Sequence, residues 1–405
     1  MDYPIPPGLH PIPKNLLDLR PDSEIDHDLL HPKPISNEKN IWFFWDTGYS
    51  TMHPYAQRNI RAWHRRFSPQ GWSIRVLDRH PSSPLNVSNF LNTSDPHIFP
   101  RAFTDGTICG DYAAQHTSDL VRLPLLLKYG GVYADVGMIQ IGDLDRLWHE
   151  TVGDPSSRFK VLSYEAGCIG LTNYFLASGR DNPFFSRCHR LLLHLWDADG
   201  GKTSTEGMHS SILLKGVPLM GGEFTIEEEG GRSIGKEEVS RMLTDYIIQG
   251  QVMSMVMGLI DDEDGWDGPE YVAKHVYAIE FMAGSQLINE MTAWNGRKAF
   301  DLMSLSLPKK EGEVENAQQK EAREIVEGCL QKSFGFKLAH GMILRVFGDT
   351  LGSLWRKHEG SDDVQGTYAH WLRYATMNWN QDAIPPSVEL RITEPFKRGP
   401  LLREM

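Results

Sequence analysis

"KYGGVYADVGMIQIGDLDRLW", residues 128–148, joins a helix end to a strand through two adjacent glycines. Gly130–Gly131 stop the preceding helix and let the backbone turn tightly into the strand. "VYADVGMIQI" reads as a strand running out of the core, and its period of two puts Tyr133, Asp135 and Gly137 on one face. The helix before the glycines, "YAAQHTSDLVRLPLLLKYGG", gathers its leucines and valine on one side. Asp119 and Arg122 lie three residues apart and so share a face. Pro124 sits inside this helix, where it removes one backbone bond and should kink the axis. Ser118, Asp119 and Arg122 therefore stand near a strand end that carries a phenol and another carboxylate, and strand ends of open α/β sheets are where ligands bind. On spacing alone, a surface Asp119–Arg122 pair beside an ordinary strand acid fits equally well.

Upstream, "NIWFFWDTG" (40–48) suits a buried strand feeding a loop, "HPYAQRNIRAWHRRFSP" an amphipathic helix stopped by Pro69, and "GWSIRVLD" (71–78) a second strand. Strand–helix–strand at this spacing implies a parallel sheet with helices packed on it. Downstream, "GCIGLTNYFLAS" and "NPFFSRCHRLLLHLWDAD" form another strand–helix pair. Past residue 200 the texture changes: "EEEGGRSIGKEEVS" and "KKEGEVENAQQKEARE" are solvated, and 239–260, 270–304, 321–332 and 365–379 have helical spacing with no clear strand. The expected organisation is an extended arm over 1–39, where eight prolines break any period, an α/β core over 40–235, and a mostly helical lobe over 236–405.

Composition narrows the function. A chain of 405 residues with formal charge −12 does not suit a nucleic-acid backbone as partner. It has no run of eighteen uncharged apolar residues, and its proline-rich N-terminus lacks the basic and apolar regions of a secretory signal, so a cytoplasmic protein is expected. Cys109, Cys168, Cys188 and Cys329 are widely spaced and read as reduced, mostly buried thiols. "GGRSIGKE" (230–237) ends in Glu where a phosphate loop needs Ser or Thr, and "DDEDGWDG" (261–268) lacks the glycine and glutamate of a calcium loop. "DLD" (143–145) falls at a helix start, where Asp143 caps.

"AAQHTSDLVRLPLLLKYGGVYADVGMI" resembles the SD-x-x-R…GG-x-Y-x-D-x-D block of the sugar-binding DXD glycosyltransferases, the capsular-polysaccharide and mannosyltransferase-like group related to the large clostridial toxin glucosyltransferases. "IPKN…IWFFW", "NIRAWHRRFSPQGWSIRVLD" and "LTNYFLASGRDNPFF" are similar to flanking parts of that family over roughly 40–195. The resemblance implies a GT-A fold, a Rossmann-like mixed sheet flanked by helices, with a UDP-sugar donor, Mn or Mg, and retention at the anomeric carbon. It gives Trp45 the stacking place on uracil (a core strand tryptophan being the other reading) and puts Ser118 near the nucleoside. Asp119 and Arg122 hold donor-sugar hydroxyls, with Arg122 also near the phosphate. Tyr133 matches the motif tyrosine, and Asp135 the first motif acid, which touches ribose and metal. "HWLRYATMNW" is distantly similar to the family's late tryptophan region, which makes His370 and Trp379 substrate-side candidates, with helix packing as the alternative. His209, in the polar stretch "STEGMHSS", is a further candidate, with a solvated loop histidine as the alternative.

Gly137 stands where the resemblance expects the second acid, the metal's most direct protein ligand. One carboxylate is a poor site for a hard cation, and glycine in a strand marks close backbone approach. Water and diphosphate oxygens complete the shell around Asp135, or Arg122 and another cation replace the metal, or sugar transfer has lapsed. The expected function is a retaining glycosyltransferase moving a sugar from a UDP donor to a small, apolar metabolite. The alternatives are a repurposed GT-A scaffold catalysing a metal-independent cyclisation, isomerisation or pericyclic step, and a sugar-nucleotide-binding pseudoenzyme.

Overall fold

The computed structural model describes residues 3–167, 170–227, 231–308 and 314–403. β1 (Asn40–Phe44), α1 (Pro54–Phe67) and β2 (Ser73–Leu77) form the expected unit. The two strands are parallel, in register from Asn40 opposite Ser73 to Phe44 opposite Leu77. Proline opens α1, where its missing N–H has no helical partner to lose. α2 (Ala113–Tyr129) runs through Pro124 and delivers β3 (Gly131–Ala134) to the other side of β1.

Every residue of β1 is buried, because both of its faces are covered. Ile41 and Phe43 pack into one core with Trp63 and Phe67 of α1. Trp42 and Phe44 face a second core with Leu120, Val121 and Leu123 of α2 and Tyr133 of β3. The sheet is thus the middle layer between two apolar layers.

The tight joint at the double glycine has a steric cause. Gly131 holds φ +103°, and a Cβ there would lie 2.2 Å from the Asn40 carbonyl oxygen. Only glycine lets β3 come this close to β1.

The single strand expected over "VYADVGMIQI" is broken. β3 ends at Ala134, and a turn closed by the Met138 amide on the Asp135 carbonyl at 2.8 Å leads into β4 (Met138–Gln140). β4 leaves the central sheet. Gly137 therefore does not lie on the strand face of Tyr133 and Asp135. β5 (Val161–Glu165) and β6 (Leu171–Ser178) return to the sheet, β6 antiparallel to both β3 and β5. α3 (Pro183–Asp197) and α4 (Ile248–Met257) pack beneath, in the second core.

The C-terminal half is not strand-free. β7 (Val276–Glu280) pairs parallel with β5 and completes a six-stranded mixed sheet of order β7-β5-β6-β3-β1-β2. β8 (Gly335–Lys337) pairs antiparallel with β4. Both strands are short and lie among helical segments, so no local period announces them. The N-terminal arm carries a helix, Asp22–Leu30, that buries Ile25 and Leu29. Its prolines flank this helix rather than interrupt it. Leu9–Pro11 pairs with Trp379–Gln381 near the other end of the chain. Arg66, fully buried on α1, ties these parts together by donating to the carbonyls of Gln140, Ile141, Gly142 and Thr376 and to the Asn380 side chain.

Asp143 accepts from the Arg146 amide, the cap expected of it. Cys188 and Cys329 are buried free thiols and Cys109 is an exposed one; Cys168 lies outside the described residues. No helix among the described residues is long and apolar enough to cross a membrane.

Gly131→Ala should therefore destabilise the fold by about 3 kcal/mol or more, or abolish soluble expression, since both the φ and the Asn40 contact oppose a methyl group. Urea unfolding of the purified variant measures this.

Candidate functional site at the carboxyl end of β3

The site assembles around Arg122, which is buried on α2. Its Nη2 lies 2.7 Å from Asp119 Oδ1, 3.1 Å from Ser118 Oγ and 3.5 Å from Asp135 Oδ1. Nη1 donates to the Asn173 backbone carbonyl on β6, and the guanidinium sits 4.7 Å over the Tyr133 ring. Ser118 Oγ and the Tyr133 hydroxyl are 2.5 Å apart. Asn173 Nδ2 donates to Asp119 Oδ1 at 3.3 Å, and Gln249 of α4 donates to the Asp119 carbonyl at 3.0 Å. One turn of α2, the end of β3 and the middle of β6 thus meet at one point. The surface ion pair admitted by spacing alone does not form, since Asp119 and Arg122 are both buried.

Burial sets the charges. It pushes the Asp119 carboxyl up to about 7, against the pull of Arg122 and with a smaller push from Asp135. Burial works against the Arg122 charge too, but Asp119, Tyr133 and Asp135 outweigh it and hold the guanidinium above its ordinary value. The Tyr133 phenol is raised, chiefly by burial, and stays a neutral donor. The result is a permanent cation with a borderline acid, Asp119, beside it.

Asp135 receives a second cation that sequence reasoning missed. Lys337 Nζ, at the end of β8, lies 2.8 Å from Asp135 Oδ2 and 5.7 Å from the centre of the Tyr174 ring. The sequence held a signal for it: Phe334, Phe336 and Leu338 alternate as a strand does. Beyond Lys337 the chain runs past Tyr55, Tyr246 and Tyr112. His340 Nε2 pairs with the Tyr55 hydroxyl at 2.9 Å; burial first, then Lys337, Arg356 and His53, lower its pKa to about 3, so it is neutral. Gly341, at φ +64°, has room for no Cβ against the Tyr246 hydroxyl, 2.2 Å away. The Tyr112 hydroxyl donates to Met342 Sδ at 3.5 Å.

Trp45 follows β1, half-buried, its ring edge-on to His53 at 5.9 Å. Beside it an open cleft of about 420 Å³ is lined by Asp46, Thr47, Arg79, His80 and Pro81. His209 is not a free loop residue: its Nδ1 is 2.9 Å from Asp245 Oδ1, and the amides of Gly207 and His209 donate to the same carboxylate. His370 and Trp379 are engaged elsewhere. His370 Nδ1 meets the Tyr3 hydroxyl at 2.6 Å, and Trp379 lies in the strand that pairs with the N-terminal arm.

The Mn or Mg implied by the DXD resemblance does not fit these residues. Gly137 offers no ligand, and each Asp135 oxygen already faces a cation. Among the described residues the acidic grouping with metal-ligand spacing is Asp18, Asp28 and His64, at the arm–α1 junction, where Arg20 already pairs with both aspartates.

Known proteins resemble this chain over most of its length. The capsular polysaccharide synthesis protein family matches residues 14–201. The chain is 34% identical to O-glycosyltransferase braB of Annulohypoxylon truncatum over 93% of its length and 88% of that protein's. It is 34% identical to glycosyltransferase afumC of Aspergillus fumigatus over 89% and 90% of the two chains. With O-glycosyltransferase PaGT of Phomopsis amygdali it shares 29% over 95% and 93%. A solved structure, PaToxG Glycosyltransferase, overlaps 44% of the chain and 69% of its own at 15% identity and a TM-score of 0.25. The chain belongs to the fungal glycosyltransferase family that includes braB, and it is a glycosyltransferase.

The raised Asp119 carboxyl gives a pH signature. Between about pH 4 and 7 the folded protein binds this proton and the unfolded chain does not. This contribution to stability is complete below pH 4 and is lost as pH rises toward 7. Urea unfolding from pH 4 to 8 should show the loss in the wild type and a flatter profile in Asp119→Asn.

Proposed function

We propose that the chain transfers a sugar, with retention, from a UDP-sugar to a hydroxyl of a small, apolar acceptor. The observation that carries this reading is the Ser118–Asp119–Arg122–Tyr133–Asp135 cluster at a strand end, with Asp119, Arg122 and Tyr133 buried and Ser118 and Asp135 partly exposed. These residue types in this order are those the DXD resemblance assigns to a sugar nucleotide. Arg122 steadies the diphosphate, and Asp119 accepts hydrogen bonds from donor-sugar hydroxyls. Asp135 accepts from ribose and aligns the cations on either side of it. Trp45 stacks on uracil beside the open cleft.

In the transfer step, the bond from the anomeric carbon to the diphosphate oxygen breaks and its electron pair stays on that oxygen. The acceptor oxygen bonds to the anomeric carbon from the same face and gives its proton to the departing diphosphate. Arg122 stabilises the charge that develops there.

Residues 236–405 complete the pocket in this reading. Tyr112 and Tyr246, with ring centres 4.8 Å apart, and Met342 beside them offer an apolar wall for the acceptor. The loop of His209 borders it through Asp245. His370 and Trp379 keep packing roles. The name O-glycosyltransferase carried by braB and PaGT supports an oxygen acceptor.

Arg122→Lys should lower kcat/KM for the productive UDP-sugar by about 100-fold or more, as loss of a preorganised donor to a developing anion does. Trp45→Ala should raise KM by about tenfold through lost stacking, with kcat nearly unchanged. Steady-state transfer assays with a panel of UDP-sugars measure both. Indifference of the wild type to every uridine nucleotide would overturn the reading.

A further inference from the structure

We propose that the Lys337 ammonium takes the place of the divalent metal at the donor diphosphate, so that transfer proceeds without a metal ion. The inference deepens the sugar-nucleotide reading and rests on it.

Three observations meet at one point. The position of the missing second acid is Gly137, and its carbonyl accepts from the Leu338 amide at 2.9 Å. This bond continues the pairing of β4 with β8, in which Met138 lies opposite Lys337. The register therefore delivers residue 337 to the DXD position. A Cβ on Gly137 would lie 3.1 Å from the Leu338 carbonyl oxygen and 3.7 Å from Lys337 Nζ. A side chain at 137 would thus crowd β8 by a few tenths of an ångström, and β8 brings the Lys337 ammonium close to where that side chain would begin.

The charge balance supports the same conclusion. A metal held by two acids offers little net positive charge from protein and ion together. Here Lys337 and Arg122 flank Asp135, one on each of its oxygens. Two cations thus converge on Asp135, while the buried Asp119 is engaged by Arg122 and Asn173. The Lys337 and Asp135 side chains remain 16% and 27% exposed, so a ligand can reach both. An ammonium has three donors and Asp135 engages one.

During transfer Lys337 acts as a hydrogen-bond donor. It hydrogen-bonds the diphosphate oxygens as the sugar–oxygen bond breaks, and no proton passes through it.

The test uses the full chain, UDP and the productive UDP-sugar. Calorimetry of the wild type should give the same UDP affinity in EDTA and in Mn²⁺, and turnover should survive EDTA. Lys337→Met should weaken UDP binding by about tenfold or more, the value of hydrogen bonds to a charged group. It should leave uridine binding unchanged and lower kcat by about 100-fold, with Lys337→Arg recovering part of both. A purely structural role would shift UDP and uridine together. In the double variant Gly137→Asp with Lys337→Ala, checked for folding by thermal melting, turnover should become dependent on Mn²⁺. Wild-type UDP binding or turnover that requires Mn²⁺ would overturn the lysine proposal and leave the donor reading standing. So would a Lys337→Met variant with wild-type UDP affinity. Absence of UDP binding with and without Mn²⁺ would overturn both.

Discussion

A buried guanidinium organises this molecule. Taking the Arg122 charge out of water costs several kcal/mol unless neighbours replace the lost hydration, and the cluster is arranged as that replacement. Asp119 lies 2.7 Å away, the Asn173 carbonyl accepts, Ser118 accepts, and the Tyr133 ring lies beneath. Ser118 and Asp119 lie on α2 with Arg122, Tyr133 on β3 and Asn173 on β6, so the set of partners is complete only when α2, β3 and β6 are docked. In the proposed reading, stability and ligand recognition rest on the same contacts, and Lys337, at the more exposed end of the cluster, meets the anionic ligand.

The C-terminal half enters the site through backbone pairing rather than through a binding loop of its own. β4 turns out of the central sheet just after Asp135 and takes β8 as its partner. Arg66 fixes β4 from below through the carbonyls of Gln140, Ile141 and Gly142. Asp362, fully buried between Arg58 and Arg373, holds α1 against the late helix Tyr368–Asn378. The position of Lys337 is consequently set by three layers of packing. That rigidity suits a cation meant to replace a metal, whose own coordination would otherwise supply the geometry.

Legibility in the sequence followed the range of the interactions. The unit β1–α1–β2, the helix α2 and its double glycine were readable because period and steric freedom are local properties. Gly131 makes the point: the residue type announces a tight joint, and the Asn40 carbonyl 2.2 Å from its absent Cβ explains it. The break after Ala134 was not readable, because a hydrogen bond from Leu338, far along the chain, helps to hold the turn. β7 escaped for the same reason, its pairing with β5 being remote and its five residues fewer than the helical run around them. His209 looked like a free loop histidine until Asp245 appeared beside it. Within the site, the residues carried by the DXD block came together as expected, and those suggested by a distant C-terminal similarity, His370 and Trp379, were found packed with the N-terminal arm. What the substitution at 137 does could not be read from the motif, since the answer lies on another strand.

A structure of the protein soaked with UDP and Mn²⁺ would test the central claim most directly. The account predicts uracil against Trp45 and the diphosphate bridging Arg122 and Lys337, with no manganese anomalous signal at Asp135. A manganese ion bound between Asp135 and the diphosphate, with Lys337 displaced, would contradict it.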